Sequence, residues 1–133
     1  DVLRAFGVTF EARITSAHRT PEATKAYIQD AEQRGCAVFI AAAGMAAHLA
    51  GAVSATTVRP VIGVPMNASL DGLDALLSTA QMPAGIPVAT VAIGKAGAKY
   101  CHWLMRRWHN ACAMNVQRTR RKFMPRMPRC KKS

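Results

Sequence analysis

The sequence lacks any stretch of 18 or more apolar residues free of charge or turn signals, and its first residues, Asp1-Val2-Leu3-Arg4, carry neither a basic leader nor a hydrophobic run. Transmembrane and secreted classes are disfavoured on that ground. Cysteine is sparse: Cys36, Cys101, Cys112 and Cys130, three of them in the last third. Their number and placement argue against a small disulfide scaffold and lead to the expectation of a cytoplasmic protein with no membrane partner. Glycine-rich phosphate loops are missing too. The turn Ala41-Ala42-Ala43-Gly44-Met45 fits neither a dinucleotide fingerprint nor a P-loop, which removes support for nucleoside triphosphates. With 133 residues, half of them apolar and 19% charged, what remains is one ordinary globular domain.

Acidic residues number only seven, against 18 Lys and Arg, a formal net charge of +11. Divided along the chain, residues 1–99 hold eight basic and seven acidic side chains, whereas residues 100–133 hold ten basic ones and no acid. The basicity therefore belongs to a tail. The expected organisation is an α/β domain over 1–99 and an atypical basic segment over 100–133.

The pattern predicts a helical stub over residues 1–5, ended by Gly7, and a short strand from Val8 to Thr15. A helix follows, with Thr20 as cap, Pro21 in its first position and Glu22 near its positive end; Ala23, Ala26, Tyr27 and Ala31 mark one face, and Gly35 closes it. Residues 37–42 form a continuous apolar run and read as a strand covered on both faces. A small-residue helix is expected over 45–53, a buried strand over 60–65, a helix from Leu70 to Thr79 with Leu73, Leu76 and Leu77 on one side, and a strand over 87–93. Such alternation predicts a parallel sheet flanked by helices, with ligands beyond the carboxyl ends of the strands. The places to look are 16–19, 43–48 and 65–71.

His18 and Arg19 stand at a strand-to-helix turn, where free helix N–H groups favour an anion and a guanidinium can grip a phosphate or carboxylate with two hydrogen bonds. The alternative is that Arg19 pairs with a nearby acid and His18 packs beneath the turn. His48 is the single ionisable side chain between Ala41 and Val53. It reads either as a core histidine or, beyond a strand end and among small apolar residues, as a proton shuttle. Cys101-His102 and His109-x-x-Cys112 match no common zinc module, so no metal is expected.

Four blocks then stand in order: Ser16-Ala17-His18-Arg19-Thr20-Pro21-Glu22; Ala43-Gly44-Met45-Ala46-Ala47-His48-Leu49-Ala50-Gly51; Pro60-Val61-Ile62-Gly63-Val64-Pro65; and residues 81–94, from Gln81-Met82-Pro83 to Ala92-Ile93-Gly94. Over about residues 1–99 the chain resembles the N5-carboxyaminoimidazole ribonucleotide mutases of purine synthesis, in their bacterial form. The resemblance implies a flavodoxin-like three-layer α/β sandwich around a parallel sheet. It also implies a cytoplasmic, homo-octameric isomerase without metal or organic cofactor that moves a carboxylate from N5 to C4 of the imidazole ring. The family's route is decarboxylation in a closed site, trapping of CO2, recarboxylation at carbon and loss of the C4 proton. His48 falls on the proton-transfer position. Ser16 and Arg19 fall on positions that contact the ribonucleotide, Arg19 at its phosphate, and Ala43, Gly44 and Leu49 shape the pocket floor.

Two departures accompany the resemblance. Family members begin with a strand leading into a Gly-Ser-x-Ser-Asp turn that holds phosphate and ribose, and the present sequence starts downstream of it. A sheet missing its first strand and a much reduced substrate affinity are the corresponding expectations. The family also continues with an Ala/Leu-rich helix and an amphipathic one, which residues 100–133 do not resemble. Ten positive charges with two tryptophans would suit nucleic acid; a chain damaged at both ends would be inactive. An out-of-frame origin explains the composition better. In the frame that joins the last base of each codon to the first two of the next, His102-Trp103 must encode Leu and Met114-Asn115 must encode Glu. Synonymous codons across Trp108 to Gln117, together with the last base of the Arg107 codon, allow Leu-Ala-Gln-Arg-Leu-Arg-Asp-Glu-Arg-Ala, an amphipathic helix. Nucleic acid is therefore not expected as a partner.

Overall fold

The structure, a computed structural model, describes residues 2–101, 103 and 104. His102, His109, Cys112 and the basic segment from 105 onward, with the out-of-frame and nucleic-acid readings attached to it, lie outside the described residues.

Among the described residues the elements follow in the order α1 (Val2–Ala5), α2 (Pro21–Gln33), β1 (Phe39–Ala43), α3 (Leu49–Ser54), β2 (Val61–Pro65), α4 (Leu73–Ala80) and β3 (Ala89–Thr90), with a 3-10 turn at Leu70–Gly72 before α4. Residues 94–101 are again helical. The strands form one parallel sheet in the order β1-β2-β3, with Phe39 beside Val61, Ala43 beside Pro65 and Gly63 beside Thr90. The α/β class expected from the alternation is the class observed.

Helix α2 begins where Pro21 and Glu22 place it and ends in a Schellman closure. Cys36 N–H donates to Ala31 O and Gly35 N–H to Glu32 O, with Gly35 at φ +89°. Its buried face is Thr24, Ile28 and Ala31, not the Ala23, Ala26, Tyr27 and Ala31 face expected. Alanines carry too little apolar surface to orient a helix, and Ile28 sets the rotation instead. Ile28 and Ala31 pack with Phe39, Ala41, Ala50, Val53 and Val61 on one side of the sheet. On the other side Ile62 and Val64 meet Cys101, with Leu104 beside them.

Several expected elements differ. Residues 8–15 form no strand, and Ile14 is fully exposed. Their β-forming side chains match the pattern, but a strand exists only with a ladder partner, and β1 pairs with β2 alone among the described residues. Strand β1 is covered on one face only: Phe39 and Ala41 are buried while Ile40 and Ala42 are exposed. The helix over 94–101 covers the neighbouring β2, which is buried at all five positions. Helix α3 starts at Leu49 rather than 45, because Met45 adopts φ +57° and cannot lie within a right-handed helix. The last strand shrinks to Ala89–Thr90. In α4 the buried positions are Ala75 and Thr79, and Leu73 and Leu77 face outward.

Candidate active site

Parallel pairing sets the place of the site. Because Ala43 and Pro65 end their strands side by side, the loops 44–48 and 66–72 leave the sheet together, and Met66 N–H donates to Ala43 O at 2.8 Å. Gly44 permits this contact: a Cβ there would lie 2.7 Å from Ala68 Cβ. Ala43 and Gly44 are half-buried where the two loops diverge. Leu49 packs its side chain into the core beneath β1, so it supports the loop from below.

The loop between Met45 and Leu49 is pinned from α4. Ala47 N–H donates to Ser78 Oγ at 3.0 Å, and Ala47 is buried. His48 follows as the cap residue just before α3, and its side chain is exposed. The apolar surroundings expected for it are therefore not observed. Small neighbours such as Ala46 and Ala47 leave a side chain uncovered rather than enclosing it.

What the structure places against His48 is His18. The two ring centroids are 5.4 Å apart with planes tilted by 50°. His18, 30 residues earlier, lies in the turn before α2 and is exposed, not packed beneath it. In the same turn Ser16 is half-buried, and its Oγ accepts Arg19 N–H at 3.2 Å. Arg19 is exposed and forms no ion pair among the described residues, so the acid partner considered for it is not found there. Two facing imidazoles can exchange protons between them, and an exposed guanidinium in the same turn as His18 can receive an anion. A shallow depression of about 230 Å³ between α2 and α3, lined by Ala17, Pro21, Thr24, Lys25, Ala52 and others, includes neither histidine.

Three positions carry this arrangement without any local signal. Ser78 reaches Ala47 across 31 residues, and Thr15 and Thr24 hold the turn that bears His18. Hydroxyl residues at such separations look like ordinary solvent-facing positions in a linear pattern. His18 itself was legible as a candidate, but its pairing with His48 was not.

The sequence model of the AIR carboxylase family matches residues 1–127. An N5-carboxyaminoimidazole ribonucleotide mutase of Saccharolobus solfataricus is 58% identical over 97 residues, 72% of this chain and 61% of that relative. The mutase of Pseudomonas aeruginosa is 56% identical over 99 residues, 74% of this chain and 61% of the relative. A chloroplastic phosphoribosylaminoimidazole carboxylase of Vigna aconitifolia is 57% identical over 97 residues, 72% of this chain and 17% of that longer protein. The chain thus spans about three fifths of the length of the two mutases.

Proposed function

Because the chain belongs to the AIR carboxylase family, we propose that it carries the site of an isomerase converting N5-carboxyaminoimidazole ribonucleotide to 4-carboxyaminoimidazole ribonucleotide. The single observation that carries the reading is that His18 and His48 face each other. The chemistry asks for little more. Cleavage of the N–CO2 bond puts one proton on N5 and releases CO2. Attack of C4 on that CO2 forms the new C–C bond and sheds the C4 proton. One proton leaves the protein and one returns, so the cycle closes without oxidant, reductant or organic cofactor. His48 is the proton-transfer residue of the proposal, with His18 facing it. Arg19 takes the phosphate, Ser16 the ribonucleotide, and Ala43, Gly44 and Leu49 form and support the floor.

Retaining CO2 requires a water-poor enclosure, and both imidazoles are exposed in the single chain. Assembly into a homo-octamer supplies the cover, and the exposed Leu70, Leu73 and Leu77 support subunit contact. A cytoplasmic location belongs to the same reading. No described helix is long and apolar enough to cross a membrane. A domain boundary near residue 99 is part of the same proposal, while the family model itself extends to residue 127. Residues 100–133 are then the out-of-frame tail, which sequencing of the coding DNA tests directly.

The functional test uses substrate labelled with carbon-13 in its carbamate and follows formation of the carbon-carboxylated product. Retention of label in the presence of unlabelled bicarbonate is expected. Loss of label would favour a carboxylase that takes up free CO2, the activity in the name of the Vigna relative. His48→Asn is expected to lower kcat by ~100-fold or more while substrate still binds. Full turnover in that variant would remove His48 from the chemistry, and the same measurement on His18→Asn assigns the remaining imidazole.

A further inference from the structure

The turn that carries His18 is tied to α2 by a knot of hydroxyl groups with a buried centre. Thr24 stands one turn into α2 with 3% of its surface exposed, on the face otherwise made by Ile28 and Ala31. Its Oγ1 lies 2.5 Å from Thr15 Oγ1, 2.9 Å from Thr20 O and 3.4 Å from Ser16 O. A hydroxyl has one proton to donate. The shorter carbonyl contact assigns it to Thr20 O, so Thr15 O–H donates to Thr24. Around this centre Ser16 N–H donates to Thr20 Oγ1 at 3.2 Å, and Thr20 O–H to Ser16 O at 3.1 Å. Thr20 thereby leaves its usual capping task, and its side chain accepts no helix N–H.

Valine would fill the space of Thr24 equally well, and a buried hydroxyl costs free energy unless it is bonded. The gain from this one lies in the chain it holds. Residues 8–15 have no strand partner among the described residues, so backbone ladders do not locate the segment that leads to His18. The bond to Thr15 does, immediately before the turn.

We propose that Thr24 is a positioning residue: by holding Thr15, and through it the turn 16–20, its hydroxyl sets the distance and tilt of the His18 imidazole against His48. The inference rests on the reading that this histidine pair serves proton transfer. It is specific to the hydroxyl rather than to the packing, so threonine, serine and valine at position 24 should separate cleanly.

The test compares the full chain with Thr24→Val and Thr24→Ser by proton–nitrogen spectra of the histidine rings, assigned through the single histidine substitutions. In Thr24→Val the His18 and His48 signals are expected to move. Thr24→Ser should superpose on the parent. With N5-carboxyaminoimidazole ribonucleotide as substrate, kcat should fall by ~10–100-fold in Thr24→Val, the scale of a small misplacement of reacting groups, and recover in Thr24→Ser. Unmoved His18 and His48 signals in a folded Thr24→Val variant would overturn the proposal, as would a lowered melting temperature with both rings unchanged. Should Thr24→Val fail to fold, Thr15→Val removes the same bond from the loop side and is read in the same way. A parent chain with no turnover, whose rings nevertheless respond to Thr24→Val, would sink the functional reading and leave the positioning role standing.

Discussion

Replacing Gly63 with alanine probes the packing that holds the site loops in place. Gly63 sits at the centre of β2, paired with Ala41 on one side and Thr90 on the other, and its carbonyl accepts Val91 N–H at 3.1 Å. A Cβ here would lie 2.9 Å from Val88 Cγ1, 3.2 Å from Ala50 Cβ and closer still to Thr79 Cγ2. Apolar carbons rest at ~3.5–4.0 Å. Three neighbours from three segments must therefore retreat together, one of them by well over half an ångström. Two of the three are β-branched and have few rotamers to escape into, and β2 cannot bow while ladders bind both its edges. Overpacking costs about 1–3 kcal/mol. The convergence of three contacts on one atom places Gly63→Ala near the top of that range, about 3 kcal/mol, offset by less than ~1 kcal/mol from the stiffer unfolded chain. With a urea dependence of about 1.5 kcal/mol/M, the unfolding midpoint should fall by roughly 1.5–2 M. Far-ultraviolet circular dichroism during urea titration measures it. Adding Thr79→Ser removes the closest methyl and should recover part of the loss. A midpoint within about 0.3 M of the parent would refute the reasoning.

Ser78→Ala removes one of the two acceptors of the buried Ala47 N–H, which also donates to Met45 O at 2.8 Å; a loss of about 0.5–1.5 kcal/mol and faster hydrogen exchange at Ala47 are expected. The Arg34 guanidinium, and after it the Tyr27 hydroxyl, hold the Glu11 carboxyl down from 4.5 to about 2. Stability from such a depressed carboxylate is present above 4.5 and lost as pH falls through about 2, so an NMR titration of Glu11 should return toward 4.5 in Arg34→Gln. Tyr27 is pushed up from 10.0 to about 12, first by burial and then by its bond to Glu11. Its contribution is present below 10 and lost as pH rises through about 12, and ultraviolet titration of Glu11→Gln should show only part of that rise removed. Burial raises the Cys101 thiol, so mass-spectrometric mapping of alkylation at pH 8 should find Cys101 modified at least tenfold more slowly in native than in urea-unfolded protein.

Local chemistry made much of the fold legible before any coordinates. Pro21, Glu22 and Gly35 bracket α2 because each acts on its own stretch of backbone. Val61 to Pro65 reads as buried because all five positions are in fact covered. The same local pattern misled at Val8 to Thr15, where β-forming residues have no partner to pair with among the described residues, and at Met45, whose backbone turns left-handed under the constraint of the loops around it. The one-sided cover of β1 depends on where the last helix lies, which the run Phe39 to Ala42 does not encode.

The candidate site divides in the same way. Residue types and their order, in Ser16 to Glu22 and Ala43 to Gly51, determined the family and most of the candidate side chains without help from the structure. Only the tertiary structure decided that His18 faces His48, that Arg19 has no acid partner among the described residues, that Ser78 bonds Ala47 and that Thr24 bonds Thr15. The longest of these relations, Ser78 to Ala47, joins residues 31 positions apart and follows from β1 and β2 ending side by side. Strand register is a property of the packed sheet as a whole, and no short stretch of sequence carries it.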